Sequence, residues 1–210
     1  MPRSARVEQI YTPMHITQRG NNRCNVFLED EDFHHFKQTL CETFAELGIA
    51  LHAYVLMNNH YHLLLTAPAP GVLAIAMRRV GARYVPYFNW KHGRTGTLWE
   101  GRYKSCLVKS ERYFLNVQRY IELNPIRANM VNKADDYRWS SVHSSLGHFS
   151  EPMITPHSCY LDLGRSPAQR ARTYREFLGQ SQPNLELSYI RQHIRQSRPI
   201  ILGTEVPPSP

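Results

Sequence analysis

The sequence predicts an α+β domain of ferredoxin-like plan, an antiparallel sheet built in the order β-α-β-β-α-β, followed by one further helix and a helical C-terminal extension. Three observations predict it. Short apolar runs of strand character alternate with longer stretches whose apolar residues recur at three-to-four spacing, and these two periods separate strand from helix. A hairpin stands in the middle of the series, with Asn58 and Asn59 as turn chemistry between two aliphatic and aromatic runs. The chain has 210 residues and 42% hydrophobic content, enough for one core and an extension.

Taken in order, Met14 to Arg19 reads as the first strand, closed by Gly20, Asn21 and Asn22. Glu29 to Leu47 reads as a helix: acidic residues fill its first turn, where the helix dipole favours them, and Gly48 stands where a left-handed residue can close it. Ala50 to Leu56 and Tyr61 to Thr66 form the hairpin. Val72 to Phe88 is the second helix, and Thr97 to Lys109 the fourth strand, with Gly101 at a bend. Both helices back one face of the sheet. In the next helix, from Glu111 to Asn124, Tyr113, Phe114, Val117, Tyr120 and Ile121 recur at the spacing of a buried face. Pro125 disfavours α geometry at Asn124 and clashes with the carbonyl of Ile121, so that helix ends or kinks there. Downstream of Leu146 the chain turns loop-like, with prolines at 152, 156 and 167. Pro167 to Leu178 forms a short helix, Asn184 to Ser197 an amphipathic one, and Gly203 to Pro210 a disordered end. The chain thus divides into a domain over 1–147 and an extension over 148–210, with no internal repeat.

Two short constellations carry chemistry. Alternate residues of a strand point the same way, so His60 and His62 project together while Tyr61 faces the other side. Two neutral imidazoles so placed make a divalent-metal half-site, and equally a pair that packs or hydrogen-bonds at a strand end. Tyr120 and Asn124 lie one helical turn apart, which sets a phenol and an amide side by side near a helix end. From the helix alone they read as a core aromatic and a cap before Pro125.

Four stretches decide between these readings: His15 to Arg23, Met57 to Leu64, Thr95 to Lys104, and Tyr120 to Ala128. Together, and in this order over about residues 8 to 147, the chain resembles the HUH single-tyrosine transposases, and within them the REP-associated tyrosine transposases. Two positions depart from that pattern: Tyr61 is bulkier than the usual Val or Ile, and Asn58 stands where Pro is common. The resemblance implies metal binding by His60 and His62 with Asn124 as the polar third ligand, and Tyr120 as nucleophile. It implies cleavage of single-stranded DNA beside a hairpin, through a 5′-phosphotyrosine and a free 3′-hydroxyl. A mixed nitrogen and oxygen donor set suits Mg²⁺ or Mn²⁺ better than a closed zinc site. Tyr113, Tyr103 and Tyr61 are rival nucleophiles without a polar partner one turn on at a helix break.

Composition agrees. A formal net charge of +8 and a pI of about 9.5 favour a polyanionic partner. Candidate phosphate contacts are Arg79 and Arg83, one turn apart, while Trp99, Arg102, Tyr103 and Lys104 mix stacking surface with charge. Arg19, Asn21, Asn22 and Arg23 offer base-edge donors. Cys24, Cys41, Cys106 and Cys159 lack CxxC spacing, which argues against a zinc cluster and against disulfides. No apolar run approaches a membrane span of about 20 residues and no signal-peptide segment opens the chain, so a cytoplasmic location is expected. Two other classes stay open: an RNA-binding module, which needs neither the histidine pair nor the Tyr120 and Asn124 pair, and a domesticated DNA-binding regulator without cleavage. A zinc hydrolase would need a water-activating acid, for which Glu100 and Glu122 are distant candidates. Monomer and homodimer are equally compatible.

Overall fold

The computed structural model describes residues 9–197, 199 and 200; the expectation of a disordered end over 203–210 lies outside the described residues. The chain runs β1 (Met14–Arg19), α1 (Asp30–Glu46), β2 (Ala50–Met57), β3 (His60–Thr66), α2 (Val72–Lys91) and β4 (Lys104–Leu107). The four strands lie in the order β2-β3-β1-β4, every neighbouring pair antiparallel. This is the ferredoxin-like arrangement that the order of elements predicts.

Local chemistry sets the boundaries. The α1 helix opens on a capping box, in which Glu29 and Asp32 satisfy each other's backbone amides, and Gly48 follows its end at φ +65°. The β2–β3 turn forms at Asn58 and Asn59 without the proline. On the α1 and α2 side, Phe36, Tyr61 and Tyr84 interlock at centroid distances of 4.9 to 5.0 Å, all fully buried. Truncating an aromatic there costs about 3 to 5 kcal/mol.

Two boundaries differ from expectation. The α2 helix continues through Pro86 to Lys91, because its last turn is anchored on α1: Lys91 pairs with Glu29 at 3.1 Å and His92 with buried Asp32 at 3.0 Å. The fourth strand is much shorter than Thr97 to Lys109. Over 98–101 the backbone instead fastens to the end of β1, with Asn21 donating to the Leu98 carbonyl at 2.8 Å and Glu100 to the Arg19 carbonyl at 2.9 Å. Meanwhile Trp99 turns its indole inward, edge-on to Tyr61 at 5.6 Å.

The opposite face of the sheet is covered by α3 (Glu111–Glu122), which packs on β2 and β3. A kink at Leu123 leads directly into α4 (Asn124–Arg127): the Arg127 amide still reaches the Leu123 carbonyl at 3.1 Å, so the chain bends at the proline without unwinding. Then follow α5 (Val142–Ser145), α6 (Ser158–Leu161), α7 (Pro167–Gly179), capped by the Ser166 hydroxyl, and α8 (Asn184–Gln196). Segments downstream of β4 cover both margins of the sheet. Along β2, Leu56 donates to the Trp139 carbonyl at 2.9 Å and Thr155 to the Leu51 carbonyl at 2.7 Å; along β4, Ile200 donates to the Leu107 carbonyl at 2.6 Å. Pairing of this kind removes exposed strand edges. Among the described residues no helix is long and apolar enough to cross a membrane.

Candidate functional site

The β1–β3 register builds the site. Arg19 lies opposite His60 and Thr17 opposite His62, so His15, Thr17 and Arg19 share the face that carries the histidine pair. That face points towards α3, where Phe114, Val117 and Ile121 are buried at 0 to 1% exposure and Tyr120 sits at their margin. His60, His62, Tyr120 and Asn124 all line one cleft of about 600 Å³. The Tyr120 ring lies edge-on to His62 with centroids 5.9 Å apart, and the two strand imidazoles are 5.1 Å apart and nearly perpendicular.

Hydrogen bonds hold each imidazole by its Nδ1. The His60 Nδ1 lies 2.6 Å from the Asn59 carboxamide oxygen, an acceptor, so Nδ1 carries the proton and Nε2 keeps its lone pair. The His62 Nδ1 lies 2.9 Å from Nε2 of His15, a fully buried histidine on β1. Burial lowers the pKa of His60 to about 4, helped by the charge of Arg19. Burial likewise brings His15 down to about 3, and it holds His62 well below the ordinary range, with His15, His60, Arg127 and Arg19 adding to the effect. All three rings are therefore neutral at physiological pH, the form that ligates metals. The donor chemistry at the cleft, two such nitrogens and the Asn124 amide, fits a hard divalent ion that retains other ligands. Among the described residues no group of three or more His, Cys, Asp or Glu could hold a metal.

Arg127, two turns beyond Tyr120, sets its guanidinium 4.4 Å from the centre of the Tyr120 ring and donates to the Tyr120 carbonyl. Of the rival tyrosines, Tyr61 is fully buried on the opposite face, where its hydroxyl donates to Gln18 at 2.7 Å. Tyr113 packs against Tyr189 at 5.3 Å, and Tyr103 is buried.

The candidate DNA contacts separate. Arg19, Arg102 and Lys104 line the cleft. Asn21, Asn22 and Arg23 are exposed on a 3₁₀ turn beside it, Asn22 and Arg23 at φ +48° and +60°. Arg79 and Arg83 do not line the cleft; they pair with Glu46 at 3.3 Å and Glu42 at 3.2 Å on α1. Trp99 is packed against the core aromatics. Glu100 lines the cleft, whereas Glu122 is fully buried elsewhere, accepting hydroxyl hydrogen bonds at 2.7 Å from Ser141, Ser145 and Tyr174.

Sequence reasoning gave no role to His15, Arg127, Arg191 or Arg195, the last three of which line the cleft. Strand parity could have found His15, at two-residue steps from Thr17 and Arg19, and helical spacing could have found Arg127. Nothing local distinguishes Arg191 and Arg195, which α8 brings in from the far end of the chain.

Among curated proteins, none matches the chain. Among solved structures, the REP-associated tyrosine transposase bound to a REP hairpin superposes with a TM-score of 0.60 at 16% identity, covering 75% of this chain and 92% of its own; that likeness is one of fold. A transposase-like protein from Deinococcus radiodurans is 24% identical, covering 58% of this chain and 96% of its own, but at a TM-score of 0.40 it carries no argument. The sequence pattern of the family described as transposase IS200-like matches residues 8–124, more than half of the chain. The match takes in β1, the histidine strand, Tyr120 and Asn124, and on it the chain belongs to the IS200-like transposase family.

Proposed function

We propose that this chain is a metal-dependent single-stranded DNA endonuclease and strand transferase that works through a 5′-phosphotyrosine on Tyr120, at DNA hairpins of the REP type. The observation that carries the reading is that His60, His62, Asn124 and Tyr120, from three separate elements, line a single cleft. The family supports a transposase role, and the hairpin held by the superposed REP-associated transposase supports the substrate class.

The Nε2 atoms of His60 and His62 and the Asn124 amide would hold Mg²⁺ or Mn²⁺. A divalent ion so held supplies Lewis-acid charge to an oxygen of the scissile phosphate. Asn59 and His15 orient the two rings through Nδ1. The Tyr120 phenol loses its proton as its oxygen forms a bond to phosphorus. The bond from phosphorus to the 3′ oxygen breaks, its electron pair stays on that oxygen, and a proton taken up there completes the 3′-hydroxyl. One phosphoester replaces another, so rejoining needs no nucleotide cofactor. Arg127 braces the Tyr120 ring during attack. Arg19, Arg102 and Lys104 draw in the phosphate backbone. A cytoplasmic location fits the free cysteines.

Incubation with labelled single-stranded hairpin DNA and Mn²⁺, resolved on a denaturing gel, tests the reading. Wild type should yield a covalent protein–DNA adduct. Tyr120→Phe keeps the ring and removes only the attacking oxygen, so it should abolish the adduct while binding DNA within a few fold of wild type. Adduct at normal yield in Tyr120→Phe would move the nucleophile to another tyrosine.

A further inference from the structure

We propose that α8 forms the second wall of the nucleic-acid cleft, with Arg191 and Arg195 gripping the phosphate backbone of a single-stranded segment; this rests on the reading of the cleft as a DNA site. Both arginines line the same cleft as His60, His62, Tyr120 and Asn124. Residues four apart share a helix face, so the two side chains leave α8 on the same side, one turn apart. Both side chains are exposed, and neither has an acidic partner among the described residues. This contrasts with Arg79 and Arg83, whose charges are answered by glutamates on α1.

The helix that carries them is anchored rather than loosely appended. Ile190 and Ile194 are buried at 0 and 6% exposure, immediately before Arg191 and Arg195. Glu186, one turn earlier, is held by Arg119 at 3.3 Å and by Asn116, both on the helix that bears Tyr120. Past α8, Ile200 joins the edge of β4. The positive charge of α8 is thus fixed against the helix of the nucleophile and shares the cleft lining with Arg19, Arg102, Lys104 and Arg127, Glu100 being the one carboxylate on that lining among the described residues. Like charges crowded in this way repel one another, and a bound polyanion relieves that repulsion. A chain of phosphates has the repeating negative charge to meet two guanidiniums carried one helical turn apart. The family pattern ends at residue 124, and α8 lies downstream of it.

Anisotropy of a dye-labelled DNA hairpin with a single-stranded flank, in EDTA and over a series of salt concentrations, tests the wall independently of cleavage. The full-length double variant Arg191→Gln, Arg195→Gln should bind about 25-fold more weakly near 0.1 M salt, with a salt slope lower by about 1.4, at roughly 0.7 per single-strand contact. Arg191→Lys, Arg195→Lys keeps both charges and should retain the slope. Arg172→Gln, which removes an exposed charge from α7 away from the cleft, should behave as wild type. A double glutamine variant with the wild-type slope and an unchanged melting temperature overturns the proposal. So does an equal loss in Arg172→Gln, which would reduce the effect to net charge. If wild type forms the Tyr120 adduct while the slope is unmoved by the double substitution, only the wall fails; if wild type binds no single-stranded DNA, the reading of the cleft fails with it.

Discussion

At the residue scale the site depends on which ring nitrogen carries the proton. His60 is held at Nδ1 by the Asn59 carboxamide oxygen, which leaves its Nε2 unprotonated; His62 keeps a free Nε2 lone pair when its Nδ1 donates to Nε2 of His15, the tautomer that the proposed metal site requires. His60→Ala and His62→Ala should each suppress cleavage and weaken Mn²⁺ binding measured by calorimetry. His92→Ala and His143→Ala should not, because His92 is committed to Asp32 and His143 to the Tyr137 carbonyl. Equal losses in all four would make the pair structural. His15 acts one step back. His15→Phe keeps a ring packed 5.9 Å from Tyr120 and removes the nitrogen that meets His62, so Mn²⁺ affinity should fall by about 10- to 100-fold in a folded protein. Unchanged affinity would show that His62 needs no partner at Nδ1.

At the element scale, the hairpin and the helix bearing Tyr120 are tied to segments far away in the chain. His52 on β2 bridges Thr66 at 2.8 Å and the Thr155 carbonyl at 2.7 Å, and so joins the hairpin to the segment along its edge. Burial lowers its pKa from 6.5 to about 4. Between those values the unfolded chain takes up a proton that the folded chain refuses. The stability contributed above pH 6.5 is therefore lost as pH falls towards 4, at up to about 1.4 kcal/mol per pH unit for this one group. Urea midpoints across that window should fall more steeply for wild type than for His52→Gln, which cannot titrate; parallel curves would exclude His52 as a source of the acid sensitivity.

At the scale of the whole molecule, positive charge is sorted by what lies across from it. Lys104 lines the cleft, so Lys104→Ala should lower the salt slope of single-strand binding by about 0.7. Arg79→Ala and Arg83→Ala should leave the slope nearly unchanged, since both side chains pair with α1 and lie off the cleft lining. Asn21, Asn22 and Arg23 are exposed on the turn after β1, and the proposed function gives them the reading of base edges. Replacing one of them should cost about 1 to 3 kcal/mol on preferred DNA and little on scrambled DNA. Isotherms on both DNAs at several salt concentrations separate the two behaviours, and a slope change for Arg79→Ala equal to that for Lys104→Ala would put the phosphate track on α2 as well.

Much of this molecule was legible in one dimension, because its signals are local. Strand alternation alone sets His60 and His62 on one face, the three-to-four spacing of Phe114, Val117 and Ile121 orients α3, and Pro125 bends the chain where Asn124 must turn towards the cleft. The order of elements then determines the sheet. What only the tertiary structure decided depends on contacts between residues far apart in sequence. The β1–β3 register brings His15 beneath His62, and Arg79 and Arg83 meet Glu46 and Glu42 of α1 away from the cleft lining. Trp99 packs its indole against the core aromatics, and β4 spans only Lys104–Leu107. Arg191 and Arg195 reach the site from some seventy residues past Tyr120. No local pattern encodes such meetings, since a side chain's periodicity reports which way it faces and the packing of the whole chain determines what it meets there.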